Sequence, residues 1–171
     1  MRKSLIFVFG ILCLLIGCKS ESSKGQYESL TYDTSKIAII SWANAPRHFR
    51  DRNINPAPLT QRDLKAIDSL LIVCITTRNQ ELNLPDEYSK EDEIDLVTGN
   101  YKQQLIAYKN PDGEKEVWVN CFCTYTGSPF YFSTSWKTSI ITVKDGGTCY
   151  FRLTINLTKK TFRDLMVNGR A

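Results

Sequence analysis

Histidine is almost absent from this sequence, because His48 is the only one among 171 residues. A Ser-His-Asp triad or a Cys-His pair would have to use this residue. His48 lies in a proline-flanked connection next to Arg47, and nothing in the sequence places a nucleophile beside it. A Gly-x-Ser-x-Gly elbow and a glycine-rich loop for phosphates are missing as well. The sequence therefore contains no recognisable catalytic motif and gives no reason to expect a cofactor.

The sequence also lacks a strong excess of either charge. The formal net charge of +4 includes Arg2 and Lys3, so it falls to +2 when the first residues are removed. A strongly basic face is the first expectation for a protein that binds nucleic acid. The composition therefore gives no support for a nucleic-acid partner.

The N-terminal residues form a targeting signal. Arg2 and Lys3 make a short cationic region, and an apolar run follows from Leu5 to Ile16. The run is about a dozen residues long, whereas a helix needs about 20 residues to cross a bilayer. We therefore expect residues 1–17 to be a signal peptide and not a stable membrane span.

The apolar run ends in Leu15-Ile16-Gly17-Cys18, which resembles the lipobox of bacterial lipoproteins. The resemblance implies that the Cys18 thiolate takes up a diacylglyceryl group and that Cys18 becomes the mature N-terminus. Two or more acyl chains anchor a protein stably to a membrane. Lys19 is not the aspartate that signals inner-membrane retention in some bacteria, which favours the outer membrane. The sequence leaves open whether the domain faces the periplasm or the cell surface. The alternative is an ordinary signal, or an uncleaved anchor, with a chance cysteine.

Beyond Cys18 the chain divides into a tether and one domain. Residues 18–35 are polar and rich in serine, which is typical of a flexible linker. Residues 36–171 are long enough for a single domain with one core.

The domain is predicted to be α+β, with one main helix packed on a five- to six-stranded antiparallel meander sheet. Thr60 is the predicted N-cap of the helix, with Asp63 in a capping-box position. A buried stripe at helical spacing follows, and the helix fades between Asn79 and Asn83. Strands are predicted at 36–42, 101–109, 114–123, 136–144, 148–158 and 161–167.

This order of elements, β-α-β-β-β-β(-β), resembles the cystatin-like fold, although no cystatin inhibitory motif is present. The second half of the chain is similar to a group of small uncharacterised bacterial cell-envelope lipoproteins. The residues that carry this likeness are Val117–Cys123, Asp145–Phe151 and Ile155–Thr158. The likeness covers about residues 59–171, and it implies an envelope location but no activity.

Four of the six cysteines remain after loss of Cys13 and lipidation of Cys18: Cys74, Cys121, Cys123 and Cys149. Buried thiols are the favoured interpretation, with one disulfide as the alternative. Cys121 and Cys123 on one strand lie about 7 Å apart, too far to bridge. In a simple meander Cys149 is two strands away from them, again too far for a disulfide. If one disulfide forms, it is therefore expected to join Cys74 of the helix to the sheet.

The sequence gives no support for a metal site. Cys-x2-Cys pairs and neighbouring histidines, which zinc would need, are missing. The acidic cluster at 91–95 lacks the spacing and the glycine of an EF-hand, so it reads as a solvated loop and not as a calcium site.

An aromatic stretch is the candidate binding loop: Tyr125, Phe130, Tyr131, Phe132 and Trp136. Aromatic side chains on loops often anchor interfaces. The alternative is that these rings pack over the end of the sheet as part of a secondary core.

Three functions remain open at this point, and one of them is a structural lipoprotein with no discrete ligand. The leading hypothesis is a membrane-anchored, non-catalytic binding module of the cell envelope, such as an adaptor, an inhibitor or an immunity protein. The alternative is an envelope hydrolase that acts through carboxylates brought together only by the fold.

Overall fold

A computed structural model of the chain describes residues 30–50, 53–82, 92–124 and 134–169. Within these ranges one long helix packs on a six-stranded sheet, so the predicted α+β class is confirmed. The helices are α1 (Arg47–Arg50) and α2 (Gln61–Leu82). The strands are β1 (Ile37–Ile39), β2 (Asn55–Pro56), β3 (Tyr101–Lys109), β4 (Lys115–Cys123), β5 (Tyr150–Asn156) and β6 (Thr161–Val167).

The strand order is β1-β3-β4-β5-β6, and the short β2 also pairs with β3. The prediction of a purely antiparallel sheet is wrong, because β1 runs parallel to β3, with Ile37 opposite Gln103. The helix α2 lies between these two strands in the chain. A helical crossover of this kind allows neighbouring strands to run parallel, whereas a tight turn does not. The other pairings are antiparallel.

The predicted capping box at the start of α2 is confirmed. The Asp63 amide donates to Thr60 Oγ1 at 3.2 Å, and the Thr60 amide donates to Asp63 Oδ2 at 2.8 Å. Lys115 Nζ lies 2.6 Å from the same carboxylate, so it ties the helix to β4. Burial alone would raise the pKa of Asp63, but the hydrogen bonds from Lys115 and Thr60 outweigh it and lower that pKa.

The main core lies between α2 and one face of the sheet. The helix contributes its predicted stripe, and β5 contributes every second residue, as its alternation predicts. Transfer of each such side chain out of water is worth about 1.5–3 kcal/mol. Leu30 and Tyr32 also pack against this core, so these residues of the predicted tether belong to the packed domain. The buried helix and β5 residues are Leu64, Ile67, Leu71, Cys74, Ile75, Phe151, Leu153 and Ile155.

The predicted strand at 136–144 is wrong. This part of the chain forms a short 3₁₀ helix, Thr134–Lys137, and then an irregular segment. The strand β5 therefore pairs directly with β4, with Phe122 opposite Tyr150.

This direct pairing also corrects the cysteine assignment, because Cys123 and Cys149 form a disulfide. With no strand between β4 and β5, the two residues meet at the end of the ladder. Cys74 does not form the alternative bridge to the sheet, and both it and Cys121 are buried free thiols, as the favoured interpretation predicted. Burial, with a smaller effect of the Glu81 carboxylate, raises the pKa of Cys74 to about 11, and burial also raises the pKa of Cys121. Such thiols react slowly, because the thiolate is the nucleophile.

We expect a non-reducing peptide map of the folded protein to contain one cross-linked peptide pair, Cys123 with Cys149. Replacement of both by serine should lower the free energy of unfolding by about 3 kcal/mol, because the bridge closes a loop in the unfolded chain. Urea unfolding with and without reductant measures this loss. The reductant should destabilise the wild type and leave the double variant unchanged. Equal stability of the wild type under both conditions would contradict the assignment.

Candidate ligand-binding groove

The face of the sheet opposite α2 is covered by two irregular segments. One contains α1 and its flanking residues, and the other runs from residue 134 to residue 143. Between them and the sheet lies a second cluster of buried side chains: Ala38, Ile40, Ala45, Phe49, Ile106, Tyr108, Phe122 and Trp136. We call this side of the sheet the second face.

A pair of side-chain amides holds the second of these segments on the sheet. Gln104 of β3 is fully buried and faces Asn120 of β4. Gln104 Nε2 donates to the carbonyls of Trp136 and Ser139 at 2.5 and 2.8 Å. Gln104 Oε1 accepts from the Ile141 amide and from Asn120 Nδ2, both at 2.9 Å. Asn120 Nδ2 also donates to the Ile141 carbonyl at 3.0 Å. These side chains supply the backbone hydrogen bonds that a strand ladder would otherwise provide.

Trp136, one of the predicted binding residues, belongs to the core of the second face. Its side chain is 4% exposed, and its ring meets Phe122 edge-on at 5.9 Å between centroids. The Lys102 ammonium lies 4.6 Å above the same ring. Trp136 therefore fits the alternative interpretation, a secondary core. The other predicted residues, Tyr125, Phe130, Tyr131 and Phe132, lie outside the described residues.

A groove runs along the second face between the two covering segments. It consists of two adjoining cavities of about 280 and 140 Å³, which share His48, Trp118 and Arg152. Phe49 of α1 packs edge-on against Trp118 at 5.6 Å, and this contact fixes one wall. Ile141 forms part of the opposite wall. The groove therefore offers an indole and cationic side chains on a rigid sheet.

A β-bulge shapes the end of the groove at β6. The register between β5 and β6 shifts between Arg152 and Thr154, and Asp164 has a φ of 56°. Residues other than glycine rarely adopt this left-handed conformation, and bulges often re-aim side chains near functional sites. Here the bulge accompanies a contact of Arg163 Nη2 with the buried Glu116 carboxylate at 2.7 Å. Arg163 also pairs with Asp164.

The sequence did not reveal this groove. In the sequence, Trp118 alternates with Cys121 and Cys123 along one strand and Arg152 belongs to the polar phase of another, which makes the Trp118 face one of two candidate recognition surfaces but does not bring the two residues together. Their proximity depends on the β4–β5 pairing, which places Asn120 opposite Arg152. The clearest signal available was the alternation of these two strands, which assigns both residues to the same face.

A separate cavity, of about 440 Å³, lies on the helix side of the sheet between α2 and β1. Asp68 lines it, and burial raises the pKa of this carboxyl group. Gln103 also lines it, and its Oε1 is buried without a hydrogen-bond partner. Ile72 and Val97 at the edge are exposed. The cavity therefore combines apolar walls with polar groups, among them the Asp68 carboxyl group, whose charged form is disfavoured by burial.

The part of the acidic cluster that the structure describes makes local turns. Asp95 Oδ1 accepts from the amides of Val97 and Thr98 at 2.8 and 3.0 Å. Throughout the described ranges, no three His, Cys, Asp or Glu side chains lie close enough together to hold a metal ion.

Comparison with known proteins adds no relative: neither a family model nor the sequence of a curated protein nor a solved structure matches this chain. Among the described residues, no helix combines the length and the apolar character needed to cross a membrane.

Proposed function

We propose that this chain is a lipoprotein of the bacterial cell envelope, anchored through Cys18, and that its domain is a non-catalytic binding module. An adaptor, an inhibitor or an immunity protein would have this form. The observation that supports binding best is the groove of the second face, where an indole, an imidazole and a guanidinium line adjoining cavities. Aromatic and arginine side chains on a rigid scaffold are the groups that most often dominate recognition.

Two features support the envelope location, with the outer membrane favoured. The first is the lipobox-like sequence that ends in Cys18. The second, independent of the signal, is the Cys123–Cys149 disulfide, since such bonds persist mainly in oxidising compartments. Between Cys18 and Leu30, a flexible chain would span about 20 Å. The groove would then operate close to the membrane surface.

The alternative, an envelope hydrolase that uses carboxylates, has weaker support. The buried Glu116 pairs with Arg163, and Asp63 pairs with Lys115. Asp68 is the best candidate, since its pKa is raised and it lines a cavity. Asp33 lines the same cavity, but its carboxylate accepts hydrogen bonds from the amide and hydroxyl groups of Ser35. A hydrolase of this type needs a second carboxylate that is not already engaged by other groups of the protein.

Replacement of Cys18 by serine should release the protein from the membrane fraction and abolish incorporation of labelled fatty acid, because the thiolate that accepts the lipid is lost. Cell fractionation with metabolic lipid labelling measures both effects. Cys13→Ser, inside the signal, is the matched control and should leave both unchanged. Retention of Cys18→Ser in the membrane fraction would contradict the proposed anchor.

A photoreactive phenylalanine analogue at position 142, on the rim of the groove, should form a discrete adduct with an envelope component. The same residue at position 65, on the exposed face of α2, should not. Crosslinking in intact cells, followed by mass spectrometry, identifies the adduct. No adduct at position 142, or the same adducts at both positions, would contradict binding through the second face.

A further inference from the structure

Arg152 occupies the point where the two cavities of the groove meet. It is half-buried on β5. Among the described residues its one polar contact is with Met166, whose Sδ lies 3.5 Å from Arg152 Nη2. A thioether sulfur is a weak acceptor, whereas a guanidinium carries five N–H donors. The charge and most of the donors of Arg152 are therefore available to a ligand.

Arg163, the second arginine of the groove, differs from Arg152 in its partners. Arg163 lines the smaller cavity and is paired with both Glu116 and Asp164. Charged side chains are rarely withdrawn from water unless they are paired. Arg163, whose side chain is 51% exposed, has its carboxylate partners within the protein, whereas the less exposed Arg152 has none among the described residues. An arginine of intermediate exposure that has no carboxylate partner and lines both cavities is the arrangement expected of a site that receives its anion from a ligand.

The surroundings of Arg152 indicate the kind of anion. No acidic side chain among the described residues lines the larger cavity, and His48 adds a second basic group. The walls combine polar side chains, such as Asn120, with apolar ones, among them Trp118 and Ile140. One planar guanidinium matches one carboxylate through two parallel hydrogen bonds. A phosphate monoester carries up to two negative charges, of which one guanidinium would balance only one.

We propose that the groove binds a ligand that carries a carboxylate next to an apolar group. The Arg152 guanidinium pairs with the carboxylate, and the Trp118 indole packs against the apolar group. This proposal rests on the binding function proposed above and specifies the chemistry of the same groove. It makes Arg152 the residue that selects a carboxylate over the corresponding neutral amide.

The test uses the full chain in detergent and three small probes: N-acetylleucine, N-acetylleucinamide and inorganic phosphate. Ligand-observed NMR titration measures the dissociation constant of each probe. Loss of a charge-assisted pair should weaken binding at least about tenfold. We therefore expect N-acetylleucine to bind at least about tenfold more tightly than its amide or phosphate, and Arg152→Gln to abolish this preference. Arg152→Lys, which keeps the charge without the fork, should retain part of it.

Arg62→Gln is the matched control, because it removes the same charge from the exposed surface of α2. It should leave the binding of every probe unchanged. Equal binding of acid and amide, tighter binding of phosphate, no saturable binding of N-acetylleucine, or an unchanged preference in Arg152→Gln would each overturn the proposal. If the adduct at position 142 still formed, the groove would remain a binding site, and only the assignment of a carboxylate ligand would fail.

Discussion

The second face depends on one partly buried contact, between the side-chain amides of Gln104 and Asn120. Each amide has both donors and acceptors, and here they bind the backbone of a segment that belongs to no strand. Without them, the Trp136 carbonyl would lose a buried partner, and the Ser139 carbonyl and the Ile141 amide would lose partly buried ones. Each unsatisfied buried group costs about 1–3 kcal/mol. The amide pair therefore fixes one wall of the groove.

The strands beneath this wall contribute side chains both to the helix-side core and to the groove. On β4, Val119 points to the helix-side core, whereas Trp118 and Asn120 lie on the second face. A slip of one residue in the β4–β5 register would exchange the two sets of side chains. The Cys123–Cys149 disulfide closes one end of this pairing and opposes such a slip. The disulfide thus links the proposed oxidising location to the geometry of the groove.

The features that were predicted from the sequence are those with local causes. The α2 helix follows from a capping box and a 3.6-residue stripe, and the β3–β4 hairpin follows from its turn at 110–113. The segment at 136–144 resembles a strand in composition, but its hydrogen bonds come from Gln104 and Asn120, which are distant in sequence. The disulfide was missed for the same reason, because an extra strand would have separated Cys123 from Cys149. Arg152 is available to a ligand because it has no carboxylate partner among the described residues. A sequence pattern does not show which partners a side chain lacks in the fold.

The most direct test of this account is the hydrogen exchange of the Ile141 amide in the wild type and in Gln104→Met, which keeps the bulk of the side chain and removes its amide. We predict strong protection of Ile141 in the wild type, because its N–H donates to Oε1 of Gln104, which is itself fully buried. In the variant, protection should fall at Ile141 and persist at Val119, in the centre of the β3–β4–β5 ladder. Rapid exchange of Ile141 in the wild type, or unchanged protection in Gln104→Met, would contradict the claim that this amide pair builds the groove.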